Sequence, residues 1–189
     1  MQDIITERLI LKAHTQNNLD WLNATFNDPL EDYYNGDTPP RERPETLSET
    51  QKILDLILNR PTDSDIIDYA IHLKDRDELI GYGMIAHIDR YNLRCDLGIS
   101  LGWNKANWGK GYASETLQAI LSYCFRDLKL NRTGAEIYEF NIPSIRLFER
   151  NGFRLEGTRR QYIYKDGAFK DELLYSLHRE DWDRLNRIE

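Results

Sequence analysis

Trp108-Gly109-Lys110-Gly111-Tyr112-Ala113-Ser114-Glu115 decides how the rest of this chain is read. In front of it Leu97, Ile99, Leu101 and Trp103 alternate with the period of a strand. Behind it Leu117, Ile120, Leu121, Cys124, Phe125 and Leu128 recur with the period of a helix. The unit is therefore a strand, a small-residue loop and a helix. Such a loop turns several backbone N–H groups into one concavity at the positive end of a helix dipole, which suits a phosphate. Its glycines reach backbone angles closed to other residues and let a ligand approach the main chain. A tight turn that binds nothing uses glycines as well, so residues further along must decide.

Asn141-Ile142-Pro143-Ser144-Ile145-Arg146-Leu147-Phe148-Glu149-Arg150-Asn151-Gly152-Phe153 follows at a suggestive distance. It resembles the second half of the acetyl-coenzyme A site in the GNAT N-acetyltransferases, which reads Asn-x-x-Ser, a short helix, then Gly-Phe. The earlier stretch resembles that family's pyrophosphate loop, Arg/Gln-x-x-Gly-x-Gly/Ala, with Gly111-Tyr112-Ala113 at its end. Trp108 departs from the Arg/Gln position, as is familiar in the RimJ/RimL-like branch, which acetylates protein N-termini among other amines. Thr6-Glu7-Arg8-Leu9-Ile10-Leu11 and Asp166-Gly167-Ala168-Phe169-Lys170-Asp171, before Tyr175 and Trp182, also resemble that branch. The resemblance implies an α+β fold: a mixed, mostly antiparallel sheet flanked by helices and splayed at the acetyl-CoA site. It implies an acetyl-CoA-dependent N-acetyltransferase acting on a primary amine, with acetyl-CoA as co-substrate.

The same resemblance distributes roles. Trp108 and the amides of Gly109, Lys110, Gly111, Tyr112 and Ala113 belong to the coenzyme's pyrophosphate, and Lys110 either adds a point charge or is a solvated loop lysine. Glu115 in the first helical turn complements the dipole, a structural role. Asn141 binds the pantetheine arm, caps the next helix, or does both, since a cap uses only its oxygen. Ser144 faces the coenzyme near the thiol. Phe148 occupies the coenzyme-side position where many relatives carry a tyrosine acid, so Ser144 or water is left to protonate the thiolate. A backbone N–H near Leu101 is the donor for the developing oxyanion. An amine attacks only when neutral, so a carboxylate base is expected. Asp96 comes first, on the strand before the loop, although an exposed strand-edge acid fits the same pattern. Glu139 comes second. Glu31, Asp32, Tyr33 and Tyr34 are candidates for an acceptor groove, with an ordinary acidic loop as the plain alternative.

A chain of 189 residues with 40% apolar and 30% charged residues fits one domain, here taken as residues 1–189. No run of apolar residues reaches membrane-spanning length, and no basic-then-apolar signal opens the chain, so a cytoplasmic location is expected. A net charge of −7 argues against non-specific nucleic-acid binding and is compatible with a cationic acceptor. Cys95 and Cys124 lack metal or redox spacing and read as reduced thiols; His14, His72, His87 and His178 are scattered, so no metal is expected.

Along the chain, strands are expected at residues 8–13, 66–73, 79–88, 94–103 and 133–140, and another from Phe153. Helices are expected at residues 19–27, 46–59, 113–128, after Asn141, and at 180–187. The proline-rich stretch 28–44 reads as a loop. The short links around 75–78 and 90–92 make the middle strands an antiparallel meander. Asp166-Gly167 signals a hairpin, whose edge, Tyr162–Leu177, leaves room for a homodimer. Two rival readings remain. Gly109-x-Gly111-x-x-Ser114 partly imitates a dinucleotide fingerprint, but a meander precedes it where a βαβ unit is needed. A non-catalytic acyl-CoA-binding module on the same fold is the other.

Overall fold

The apolar alternation of the chain closes into one eight-stranded sheet in the order β1-β2-β3-β4-β5-β6-β8-β7. The computed structural model describes residues 2–35 and 43–186. The strands are β1 (Ile4–Ile5), β2 (Leu9–Lys12), β3 (Ile67–Leu73), β4 (Glu78–Asp89), β5 (Arg94–Ser100), β6 (Arg132–Tyr138), β7 (Arg154–Lys165) and β8 (Ala168–His178). The helices are α1 (Leu19–Phe26), α2 (Pro29–Asn35), α3 (Leu47–Leu58), α4 (Tyr112–Ser122), α5 (Ile142–Arg150) and α6 (Arg179–Leu185). Every neighbouring pair of strands is antiparallel except β5 and β6, which are parallel and joined through α4. This is the α+β, mixed and mostly antiparallel sheet that the sequence implied.

The parallel pair is short. Only Arg94, Cys95 and Asp96 find partners, namely Arg132, Thr133 and Gly134. Beyond Asp96 the two strands part. On the other side β5 stays paired with β4 as far as Ser100 opposite Tyr82. The sheet is thus split at its centre.

Helix α4 packs on the face carrying Gly83, where an added Cβ would lie 2.8 Å from Ile120. Leu117, Ile120, Leu121, Cys124 and Phe125 are buried with Leu97 and Ile85 in the main core. Truncating Leu117 or Ile120 to alanine should cost about 2–5 kcal/mol. The helical run ends in one π-turn, Tyr123–Asp127, whose Phe125 carbonyl accepts from Arg179. Cys95 and Cys124 are buried thiols, their Sγ atoms 3.9 Å apart.

Several local expectations hold. Thr46 and Glu49 form a reciprocal capping box at the start of α3. Asp166 and Gly167 take φ values of 53° and 76°, as a two-residue hairpin of matching twist requires. Others need correction. The stretch read as a loop contains α2. Asp28 caps it, accepting from the amides of Leu30 (2.9 Å) and Glu31 (3.1 Å), with Pro29 in the first turn. The rest of that stretch, residues 36–42, lies outside the described residues. Strand β5 stops at Ser100 because Gly102 turns to φ +62°, where a Cβ would meet the Trp21 ring at 2.4 Å.

Candidate active site

The split between β5 and β6 is a cleft of about 280 Å³. Ile99, Ser100 and Leu101 form one wall, and Asn141, Pro143, Ser144 and Leu147 the other. Trp108, Gly109 and Ala113 close one end, and Glu31, Tyr34 and Asn35 of α2 stand at the other.

The loop that closes the first end is held from within. Asn104 accepts from the Ala106 amide at 3.1 Å and starts a 3₁₀ turn. The Trp108 indole donates to the Gly102 carbonyl at 3.3 Å, which pins the indole across the loop. Gly109 and Gly111 have φ of 72° and 83°, the region that favours glycine, and no heavy atom lies within 4 Å of a Cβ added at Gly109. Helix α4 begins directly after Gly111 with no side chain capping it, and Ala113 in its first turn lines the cleft. The arrangement fits an anionic ligand such as a pyrophosphate: free volume, a backbone that favours glycine, and a helix N-terminus.

Glu115 does not enter that space. It accepts from Thr6 Oγ1 (2.6 Å), the Arg8 amide (2.8 Å) and Arg8 Nε (2.6 Å), which ties α4 to the start of β2. Arg8 also donates to the Lys110 carbonyl at 2.9 Å and lies over the Tyr112 ring. Arg8 braces the loop, a role its place in the sequence did not signal.

On the other wall, Asn141 caps α5 by accepting from the Ser144 amide at 3.2 Å. Its side-chain amide reaches the Tyr34 carbonyl at 3.5 Å, a long contact that leaves it available to a ligand. Ser144, the third residue of the helix, lines the cleft.

At the other end Glu31 is held across the gap between α2 and the sheet. It accepts from Tyr82 Oη and Ser100 Oγ, each at 2.9 Å. Ser100 Oγ in turn accepts from the Gly102 amide at 2.9 Å. Burial pushes the Glu31 carboxyl above the usual carboxylate range, and the hydrogen bonds from Ser100 and Tyr82 oppose the rise. Beside it Tyr33 packs on Phe140 at 5.2 Å and under the Lys165 ammonium at 4.8 Å.

The predicted site residues divide. Leu101, Trp108, Gly109, Ala113, Asn141 and Ser144 meet around the cleft. Lys110 and Gly111 are exposed on the same turn, and Tyr112 is half-buried beside Arg8. Three do not join them. Asp96 lies where β5 and β6 are still paired. Its carboxylate covers Gly134 and meets His87 Nδ1 at 3.0 Å, in a separate polar cleft of about 360 Å³. Glu139 lies past the end of β6, its amide bonded to the Asp171 carbonyl, away from the cleft lining. Phe148 is 3% exposed in the core, edge-on to Phe153 at 4.8 Å, and Leu147 takes the cleft-facing position. A helix turns its residues about 100° apart, so neighbours one step apart face different media. Among the described residues no cluster of His, Cys, Asp or Glu suits a metal ion, and no helix is long and apolar enough to cross a membrane.

Comparison with known proteins agrees with this geometry. Residues 8–154 match the model of the acetyltransferase (GNAT) domain. The chain is 34% identical over 182 residues to the uncharacterized N-acetyltransferase p20 of Bacillus licheniformis, covering 96% of this chain and 99% of that one. It is 34% identical to the [ribosomal protein uS5]-alanine N-acetyltransferase of Escherichia coli over 57% of this chain and 55% of that one. Its fold matches that of spermidine N-acetyltransferase from Vibrio cholerae, solved with CoA and spermine. That match has a TM-score of 0.80 at 19% identity, over 94% of this chain and 99% of the other. The chain belongs to the GNAT acetyltransferase family and is an acetyl-CoA-dependent N-acetyltransferase.

Proposed function

We propose that the enzyme moves an acetyl group from acetyl-CoA to a primary amine, with a protein or peptide N-terminus, of the ribosomal-protein kind, ahead of small amines. One observation carries the site assignment: the sheet splits next to a glycine-shaped helix N-terminus on one side and a capped Asn-x-x-Ser helix on the other. The amides at residues 109–113 would hold the pyrophosphate, and Asn141 and Ser144 the pantetheine arm. The coenzyme supplies an acetyl group activated as a thioester. The chain supplies proximity, a backbone donor near Leu101 for the charge that develops on the carbonyl oxygen, and a proton for the departing thiolate. Ser144 is the candidate for that proton, since Phe148 carries none and is buried in the core.

The preference for an N-terminus rests on the branch resemblance and the ribosomal-protein relative. The solved polyamine enzyme keeps the small-amine reading in play. A mass-spectrometric screen with acetyl-CoA against N-terminal peptides, polyamines and aminoglycosides separates them. Acetylated peptides are expected. Turnover on spermidine or an aminoglycoside with none on any peptide overturns the preference. Coenzyme binding with no turnover on any amine favours a binding module.

A further inference from the structure

We infer that Glu31 is the catalytic base and amine anchor of this transferase, held in place by Tyr82 and Ser100. This rests on the proposed seating of acetyl-CoA in the cleft between β5 and β6. Among the described residues lining that cleft Glu31 is the one carboxylate, and no lysine, arginine or histidine lines it. It stands on α2, opposite the glycine loop, so coenzyme and amine would enter from different ends. Its two oxygens each hold one hydroxyl donor, which leaves lone pairs for an incoming ammonium group. Ser100 directly precedes Leu101, so the carboxylate is fixed to the same strand end that would polarise the thioester carbonyl.

The step balances simply. Glu31 takes a proton from the ammonium group, and the neutral amine is left beside the thioester. The C–N bond forms and the C–S bond breaks. The second proton of the amine nitrogen passes through Ser144 or water to the departing thiolate, which leaves as the CoA thiol, and Glu31 returns its own proton to solvent.

The surroundings make Glu31 a stronger base than an exposed carboxylate. The groups facing Glu31 are Tyr82 from β4, Ser100 from β5, Asn35 from its own helix and Asp28, which caps that helix. Burial and the Asp28 charge raise its proton affinity, while the three hydrogen-bonding groups lower it. Burial pushes the Tyr82 phenol well above its ordinary range, so it stays a proton donor to Glu31. An exposed carboxylate would be too weak a base for this task.

Glu31→Gln keeps an oxygen for either hydroxyl, so folding is expected to survive and is checked by thermal melting. With a short peptide bearing N-terminal alanine, and with spermidine as the second probe, kcat/KM should fall about 10²-fold or more. The KM for acetyl-CoA and calorimetric CoA affinity should stay within about twofold of the wild type. An amine already neutral at the assay pH, such as trifluoroethylamine, should lose much less, because it brings no proton to remove. Tyr82→Phe removes one bond that favours the charged carboxylate, so the rising limb of the pH–kcat/KM profile should move to higher pH. Equal kcat/KM in wild type and Glu31→Gln, or an equal loss with protonated and neutral amines, overturns the assignment. A wild type that turns over no amine overturns the proposed function and this inference together. Wild-type turnover with intact CoA binding separates the two.

Discussion

The wall of the cleft proposed for the coenzyme, the coenzyme wall, is mostly backbone, and the one proposed for the amine, the acceptor wall, is mostly side chains brought from far apart. At the coenzyme wall the contacts are local. Asn104 serves Ala106, Trp108 serves Gly102, and Asn141 serves Ser144, all within six residues. At the acceptor wall the partners are distant. Glu31 is 51 residues from Tyr82 and 69 from Ser100. Local geometry leaves a pattern in the sequence, whereas long-range juxtaposition leaves none. The backbone wall also suits a ligand that every such enzyme shares, and the side-chain wall suits one that differs between them.

The largest expected effect comes from breaking the backbone wall. Gly111 sits at φ +83°, and a Cβ there would also lie 3.4 Å from the Arg8 guanidinium. Valine at such an angle is a strong outlier. Strain and lost amide bonds to a charged phosphate together amount to about 3–4 kcal/mol, so acetyl-CoA affinity in Gly111→Val should fall about 10²–10³-fold by calorimetry. Gly167→Val is the control: its φ is +76°, with no atom within 4 Å of the added Cβ, and it stands in the far hairpin. It should lower stability and leave coenzyme affinity alone. Equal coenzyme affinity in Gly111→Val and wild type would remove the loop from the site.

Legibility followed the same division. The strand, loop and helix around Gly111, the cap at Asn141 and the hairpin at Asp166-Gly167 were readable because each is fixed within a few residues. Asp96 shows where periodicity ran out. Strand alternation correctly puts Asp96 and Ser100 on one face, yet they are four residues apart, roughly 13 Å along the strand. At Asp96 the sheet is still closed by β6, and at Ser100 it has opened toward α2. Only the point of splitting distinguishes them, and that depends on where β6 stops following β5. Helix α2 was missed because the prolines and acids of the whole 28–44 stretch outweighed the Asp28-Pro29 start signal. Arg8 was missed because its partners, Lys110 and Glu115, are 102 and 107 residues away.

The second effect tests the helical layer behind the acceptor wall. His14 is 6% exposed and its Nδ1 has no partner. Burial, with help from the nearby His72, pushes its pKa down to about 4. The unfolded chain therefore binds this proton near the ordinary value of 6.5, while the folded protein resists it. Stability is full above pH 6.5 and falls as pH drops toward about 4, by up to about 3 kcal/mol. Urea unfolding at a series of pH values measures it. His14→Gln should flatten that window, and an unchanged slope would place the acid sensitivity elsewhere.

The third effect is catalytic. Ser144→Ala should lower kcat by about 10²-fold, the low end for a general acid that water can partly replace, with little change in KM for acetyl-CoA. Phe148→Tyr should not restore it. The new hydroxyl would lie in the core against Phe153 and cost about 1–3 kcal/mol of stability if left without a partner. An unchanged kcat in Ser144→Ala, with chemistry rate-limiting, would leave the proton to water.

The smallest effect sharpens the comparison most. Arg8 is the long-range side chain in an otherwise local wall, clamping the Lys110 carbonyl and Glu115 at once. Its side chain is 44% exposed, so its ion pair is screened by solvent and should contribute no more than about 1 kcal/mol. Glu115 keeps Thr6 Oγ1 and the Arg8 backbone amide as partners after truncation, so the helix end is not left unsatisfied. Arg8→Ala should therefore weaken acetyl-CoA binding only a few-fold, and Arg8→Lys should do the same, because a lysine cannot span both partners as the guanidinium fork does. Rising salt should shrink the difference from wild type. A loss as large as that of Gly111→Val would mean that the loop is shaped by this distant clamp rather than by its own glycines. The coenzyme wall would then depend on the same long-range assembly as the acceptor wall.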